Sequence, residues 1–144
     1  MAVTTKDYDP KKVTLTLEAH VAEGFGDGTF VTVSRSEQSW SVASGASGEH
    51  ARSKSNNRTG TWEITLMQTS KTNDFLTAKM LADEGPGNAG KFTVNLLDAN
   101  GATVVGSLEA WVQKPPSVEY GKDLGDRVWT LESGDIEFFV GGTD

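Results

Sequence analysis

Alternation with a period of two constrains this chain more than any other feature. Apolar and polar residues alternate along 13–21, 62–66 and 92–96. Successive side chains of a β-strand point to opposite faces of a sheet, so each run buries one face and leaves the other polar. A fourth run covers 102–110, and its apolar members are Ala102, Val104, Leu108 and Ala110. The pattern predicts a mainly β fold.

Further strand-like stretches lie at 29–35, 39–42, 127–132 and 136–140, and the run at 62–66 belongs to a strand-like stretch at 59–68. Asn100-Gly101 separates two alternating runs, which is the strongest hairpin signal in the chain.

One segment departs from this period and predicts a helix over about 73–84. It has good helix formers and no internal Gly or Pro. Thr72 or Asn73 is expected to cap its start, and the turn beginning at Gly85 ends it. An apolar stripe suited to packing on a sheet is formed by Phe75, Leu76, Met80 and the stem of Lys79.

A length of 144 residues fits a single domain spanning 1–144. The predicted fold class is an antiparallel β-barrel or sandwich with one flanking helix and a long hairpin loop at about 44–58. That loop is rich in Ser, Gly and Asn and has almost no apolar residue. Loops of this length in compact domains are usually functional or disordered.

The charge of the chain is unevenly distributed. The net charge is −7, and residues 73–144 carry all of it. The loop instead concentrates basic residues, with Arg52, Lys54 and Arg58 against Glu49. Two interpretations remain open: a solvated loop tip, or a complementary contact with another copy of the chain.

Composition excludes several classes of function. There are no cysteines, which excludes disulfide scaffolds, zinc knuckles and thiol catalysis and agrees with a reducing compartment. The acidic balance argues against static binding to nucleic acid or to an anionic membrane. Apolar runs are far shorter than a membrane span requires, and the first residues show no secretory signal.

The sequence contains no complete catalytic or cofactor-binding motif. Residues 85–91 match most of a phosphate-binding GxxxxGK loop, but Phe92 and a strand follow where Ser or Thr and a helix are needed. The two histidines, His20 and His50, have no acidic cluster at metal-ligand spacing. We therefore expect no enzyme activity and no cofactor or metal.

Three segments carry a resemblance: TNDFLTAKMLADEG, GSLEAWVQKPP and DRVWTLESGDIEF. With the order of the elements, they make the chain similar to the tail tube proteins of contractile-tailed bacteriophages. The resemblance implies a small β-barrel or sandwich with a flanking helix, related in fold to the type VI secretion tube protein. It also implies that six copies form a ring and that rings stack into a hollow tube.

The same resemblance implies the partners and the location. The partners are other copies of the chain, the tail sheath protein, the tape-measure protein, and the baseplate and tail-terminator proteins, with DNA present only in transit and no membrane. The location is the tail tube of the virion, after synthesis in the host bacterial cytoplasm. Two alternatives stay open: a type VI secretion-like tube protein, and a monomeric β-sandwich binding module for a ligand such as a sugar, which would need exposed aromatic residues on one face.

Two sets of candidate site residues follow. A head-to-tail stack would bring the loop, with Glu49, Arg52, Lys54 and Arg58, against the adjacent ring. The polar strand faces lack bases and suit either a wetted lumen or an outer solvated side. The candidate lumen-facing residues on them are Thr61, Glu63, Thr65, Thr93, Asn95, Thr103, Ser107 and Glu109.

Overall fold

The computed structural model describes residues 4–143. Within that range the chain forms a short 3₁₀ turn (Pro10–Lys12), one α-helix and ten strands. The elements are β1 (Val13–Leu17), β2 (His20–Val21), β3 (Val31–Arg35), β4 (Trp40–Ser44), β5 (His50–Lys54), β6 (Gly60–Met67), α1 (Thr72–Glu84), β7 (Phe92–Asp98), β8 (Val104–Lys114), β9 (Asp126–Ser133) and β10 (Ile136–Phe139). The predicted mainly β class with one helix is confirmed.

Eight strands form one antiparallel sheet in the order β2-β1-β7-β8-β9-β6-β3, with β10 paired to β8. β9 and β10 lie end to end along the long strand β8: Ser133 opposes Ala110, and Ile136 opposes Ser107. The long β8 strand therefore joins the two halves of the sheet.

The sheet curls around its core but does not close into a barrel. Its two ends face each other across a cleft of about 1230 Å³, to which Val13 and Val21 contribute from one end and Val31 and Met67 from the other. β2 and β3 remain as edge strands within the described chain. The predicted antiparallel fold with one flanking helix is therefore confirmed, but the sheet is not closed into a barrel.

One core fills the inner side of this sheet. Leu15, Trp62, Phe92 and Leu131 come from four different strands and are almost completely buried in it. Helix α1 covers the core through Leu76, as its apolar stripe predicted, with Phe75 and Met80 packed beside it.

The start of α1 differs from the prediction that Thr72 or Asn73 caps it. Lys71 occupies the cap position and makes no side-chain bond. The Thr72 amide donates instead to Ser70 Oγ at 3.2 Å. The Thr72 hydroxyl oxygen accepts the Glu23 amide hydrogen at 3.0 Å, so this side chain ties the helix to the segment after β2 rather than capping it.

The strand predicted over 13–21 is shorter than expected. It ends at Leu17, and Leu17 then pairs with His20 across a two-residue turn. Glu18 takes a φ of 58° there, a left-handed conformation that a continuous strand does not allow. Alternation alone could not reveal this turn, because apolar residues continue at the same spacing beyond it.

The loop predicted over 44–58 is also corrected. It contains a second strand, β5, which pairs with β4 from Trp40↔Lys54 to Ser44↔His50, so the two form a regular hairpin. Every residue of both strands is exposed. The segment is polar because this hairpin contributes nothing to the core of its own chain. Its polar composition therefore predicted a loop where a regular strand is present.

The predicted phase of β8 is partly wrong. Val105 and Ser107 are buried, whereas Val104 and Leu108 are exposed. Between the pairs Val94↔Ser107 and Phe92↔Ala110, two residues of β8 oppose one of β7, which is a β-bulge. The extra residue shifts the alternation, so no single period of two could describe the whole strand.

Candidate assembly surfaces

The β4–β5 hairpin has two different faces. Directly paired residues share a face, and Trp40 pairs with Lys54 while Val42 pairs with Arg52. The opposite face has only Ser and Ala side chains, from the pairs Ser41↔Ser53 and Ala43↔Ala51. We call the first the cationic hairpin face, since it carries Arg52 and Lys54 beside Trp40 and Val42.

The four predicted contact residues of the loop separate into three positions. Arg52 and Lys54 lie on the cationic hairpin face, and Glu49 lies in the turn at its tip. Arg58 follows the hairpin, and its Nε lies 3.1 Å from Asp135 Oδ1 in the turn between β9 and β10. Arg58 therefore braces the base of the hairpin against the body of its own chain.

The first group of candidate lumen residues lies together on β6. Thr61, Glu63 and Thr65 face away from the core, while Trp62 and Ile64 between them are buried. Glu63 pairs with Thr32 of β3 on one side and with Thr130 of β9 on the other. We call this outer side of β3, β6 and β9 the threonine face. Its residues are Thr32, Ser34, Thr61, Glu63, Thr65, Met67, Asp126, Val128, Thr130 and Glu132.

The three strands of the threonine face contribute acidic side chains to it and no basic ones. They carry Glu63, Asp126 and Glu132, while Lys114 of the neighbouring strand β8 pairs with Thr130 at the margin of the face. Arg127 of β9 is buried on the other side, where it bonds the backbone oxygens of Asp126 and Glu119. The face is thus a hydroxyl-rich, acidic surface.

The second group lies on a different part of the sheet. Thr93 and Asn95 of β7 and Glu109 of β8 are exposed beside a groove of about 730 Å³. β7 and β6 both turn their apolar sides into one core and are separated by β8 and β9. Two strands therefore lie between the first group, on β6, and the residues of the second group on β7.

Ser107 and Thr103 do not lie with the exposed residues of that second group. Ser107 is buried; its hydroxyl donates to the Glu109 carbonyl oxygen at 3.1 Å and accepts the Glu109 amide hydrogen at 3.4 Å. The Glu109 carbonyl oxygen also accepts the Gly134 amide hydrogen at 2.9 Å, so the Ser107 hydroxyl adds a second bond there beside the bulge. The Thr103 hydroxyl donates to the Gly141 carbonyl oxygen at 3.1 Å and fixes the last residues of the chain.

The groove beside β7, β8 and β10 combines acids with exposed apolar side chains. Glu109, Asp135 and Glu137 line it together with Leu108 and Phe139. The bulge explains why Leu108 and Glu109, neighbours in sequence, are both exposed. We call this the acidic groove.

The sequence did not predict four surface residues of interest: Trp40, Val42, Leu108 and Glu137. A signal for the first two was present, since apolar Trp40 and Val42 alternate with serines and basic Arg52 and Lys54 are also two apart. The exposure of Leu108 depends on the bulge and left no such signal.

Within residues 4–143, no group of three or more His, Asp or Glu side chains is placed to hold a metal ion. In the same range, no helix has the length and apolar character needed to cross a membrane. The surfaces described above are suited to contact with other macromolecules.

Residues 15–141 match the family model described as "Bacteriophage PhiTE tail tube protein". The chain belongs to this tail tube family. The family is structural and not enzymatic. Over 149 aligned residues the chain is also 28% identical to "Structural protein ORF10" of Pseudomonas phage KPP10, covering 99% of this chain and 86% of that protein. The predicted resemblance to tail tube proteins is confirmed.

Solved structures show the same fold at low sequence identity. The tube-terminating cap of the anti-feeding prophage has a TM-score of 0.60 at 8% identity, covering 100% of this chain and 96% of that one. The sheath/tube terminator of an extracellular contractile injection system, PVC, has a TM-score of 0.62 at 9% identity, covering 96% and 100%. A chain of the PVC sheath-tube complex has a TM-score of 0.58 at 10% identity, covering 92% and 91%.

Proposed function

We propose that this chain is the subunit of a hollow phage tail tube, in which six copies form a ring and the rings stack. The observation that carries the proposal is the family match over residues 15–141. The open sheet supports it, since β2 and β3 are edge strands whose unpaired backbone groups can join a strand of a neighbouring subunit.

The threonine face is the surface best suited to line the channel. A conduit for DNA should repel the phosphate backbone weakly, because Lys and Arg would bind phosphates by releasing their counterions. Each subunit contributes Glu63, Asp126 and Glu132 and no cation from β3, β6 or β9. Threonine and serine hydroxyls keep the rest of the wall wetted without binding DNA tightly.

The hairpin is the element best suited to connect adjacent rings. Its strands are fully exposed and contribute nothing to their own core, so contact with a neighbour accounts for their length. Glu49, Arg52 and Lys54 would contact the next ring, with Arg58 bracing the hairpin base. Structural neighbours from a sheath-tube complex and from tube terminators support a sheath and a terminator as partners.

The remaining parts of the proposal follow from a role in a phage tail. The tape-measure and baseplate proteins would contact the tube before infection, and the genome would pass through it during infection. The chain would be made in the host cytoplasm and then incorporated into the virion.

Charge reversal on the threonine face tests the channel assignment. We expect tubes of the double variant Glu63→Lys/Glu132→Lys to assemble, and phage carrying it to lose DNA ejection, because the lysines would hold phosphates. The control is Asp74→Lys/Glu84→Lys, which makes the same change of charge at exposed positions on α1, outside this face. Normal ejection by the Glu63/Glu132 variant, or equal loss in the control, would contradict the assignment.

A neutral variant distinguishes the loss of repulsion toward DNA from the gain of phosphate binding. Glu63→Gln/Glu132→Gln removes repulsion without adding cations, so ejection should be slowed less than in the lysine variant. Ejection rates can be compared by the rise in fluorescence of a DNA-binding dye as purified virions release their DNA. Equal defects in the two variants would mean that the carboxylates act by something other than charge toward DNA.

A further inference from the structure

Within residues 4–143, no other part of the chain covers the cationic hairpin face, since every residue of β4 and β5 is exposed. A two-stranded ribbon alone is marginally stable in water. Trp40 and Val42 on this face are nevertheless 41% and 70% exposed. We therefore expect another molecule to cover this face of the hairpin.

The two basic side chains of this face, Arg52 and Lys54, are available to bind a carboxylate. Within residues 4–143, neither Arg52 nor Lys54 forms an ion pair. The Arg52 guanidinium lies over the Trp40 ring, with Cζ 3.8 Å from the ring centroid. Contact with the ring restrains the guanidinium, which has five N–H donors with which to bind an acid.

The acidic groove offers the matching chemistry. Leu108 is 84% exposed and Phe139 is 61% exposed, so the groove presents apolar contacts beside its acids. Asp135 is already paired with Arg58, whereas Glu109 and Glu137 have no ion-pair partner in the described part of the chain. Two unpaired carboxylates and two exposed apolar side chains thus face solvent together.

The groove and the hairpin face of one chain do not meet. No hairpin residue lines the groove, although Arg58 at the hairpin base contacts its rim through Asp135. Two different surfaces that complement each other make a head-to-tail contact, which repeats from copy to copy. A second copy of this chain is therefore the occupant that the charges favour.

We propose that the cationic hairpin face of one subunit docks in the acidic groove of a second subunit. Arg52 and Lys54 pair there with Glu109 and Glu137, while the Trp40 ring and Val42 contact Leu108 and Phe139. The proposal rests on the proposed function, because it assigns the receiving surface of the contact between rings.

Charge reversal with rescue tests the pairing. Arg52→Glu/Lys54→Glu and Glu109→Lys/Glu137→Lys should each raise the protein concentration needed for half-maximal assembly by about tenfold, since attractive pairs become repulsive. The protein with all four substitutions should return close to the wild-type value, because its reversed charges match again. The control Asp74→Lys/Glu84→Lys should leave assembly unchanged. Normal assembly of both double variants, or failure of the combined protein to recover while remaining folded, would overturn the pairing.

Crosslinking tests whether the contact joins two copies. The chain has no native cysteines, so Val42→Cys and Leu108→Cys introduce single thiols at exposed positions. A mixture of the two proteins should form a disulfide dimer under mild oxidation. Val42→Cys mixed with Leu81→Cys, an exposed position on α1, should not. A monomer cyclised in the Val42→Cys/Leu108→Cys double variant, with no dimer in the mixture, would show docking within one chain and overturn the proposal.

These experiments distinguish failure of the docking proposal from failure of the tube assignment. If the wild-type protein forms tubes and the groove variants assemble normally without crosslinks, the docking proposal fails and the tube assignment stands. If the wild-type protein forms no ring or tube, the tube assignment fails. A specific Val42–Leu108 crosslink between soluble copies would still support the docking contact in that case.

Discussion

A buried hydrogen bond joins two strands of the proposed channel wall. The indole Nε1–H of Trp62 on β6 donates to the Ser133 hydroxyl on β9 at 3.1 Å, and both side chains are completely buried. We predict that Ser133→Ala destabilises the subunit, because the indole hydrogen then has no acceptor in a site that excludes water.

The expected cost follows from the burial. Removing one partner of a buried hydrogen bond leaves the other unsatisfied and costs about 1–3 kcal/mol of unfolding free energy. For a chain of this size each kcal/mol corresponds to about 4 °C in the melting temperature. We therefore expect a fall of about 4–12 °C, with little change in the far-UV circular dichroism spectrum.

A double-mutant cycle isolates the bond. Unfolding free energies of the unassembled subunit are measured by urea titration for wild type, Ser133→Ala, Trp62→Phe and the double variant. Because phenylalanine has no N–H to leave unsatisfied, Ser133→Ala should cost at least about 1 kcal/mol less in the Trp62→Phe background. Equal costs in both backgrounds would refute the reasoning that the bond stabilises this wall.

Two further predictions concern the packing that holds the outer elements in place. Leu76→Ala should lower the unfolding free energy by about 2–5 kcal/mol, since Leu76 is the fully buried residue by which α1 seals the core, and Leu81→Ala on the exposed side should cost under about 1 kcal/mol in the same urea titration. Asn100→Ala should speed hydrogen exchange at the Asp9 amide, which donates to Asn100 Oδ1 at 2.9 Å, while Asn95→Ala leaves that amide protected.

The periodic parts of the fold could be predicted because their own residues determine them. Trp62, Ile64 and Leu66 alternate without interruption, and β6 runs from Gly60 to Met67 as a half-buried strand. Helix α1 follows equally directly from its composition and its terminating glycine. In both elements local pattern and tertiary burial agree.

The missed features depend on contacts distant in sequence or on single residues. The turn at Glu18 interrupts a run whose alternation continues past it, and the bulge at Leu108 is defined only by the partner strand β7. The second strand of the hairpin, His50–Lys54, was missed because all its residues are exposed and show no alternation of apolar and polar side chains.

The candidate site was predictable residue by residue but not as a surface. Glu63 with its threonine neighbours and Arg52 with Lys54 were identified from the polar strand face and the basic segment. Glu63 and Glu109 were both predicted to face the channel, and they lie on β6 and β8 with β9 between these strands. Only the strand order, which pairs elements far apart in sequence, separates the two carboxylates.

Cryo-electron microscopy of the purified wild-type chain, over a range of concentration and salt, tests the tube assignment most directly. We predict six-fold rings that stack into hollow tubes, with Glu63 and Glu132 facing the channel. Rings that never stack would instead indicate a terminating cap. Monomers under all conditions would contradict the assignment.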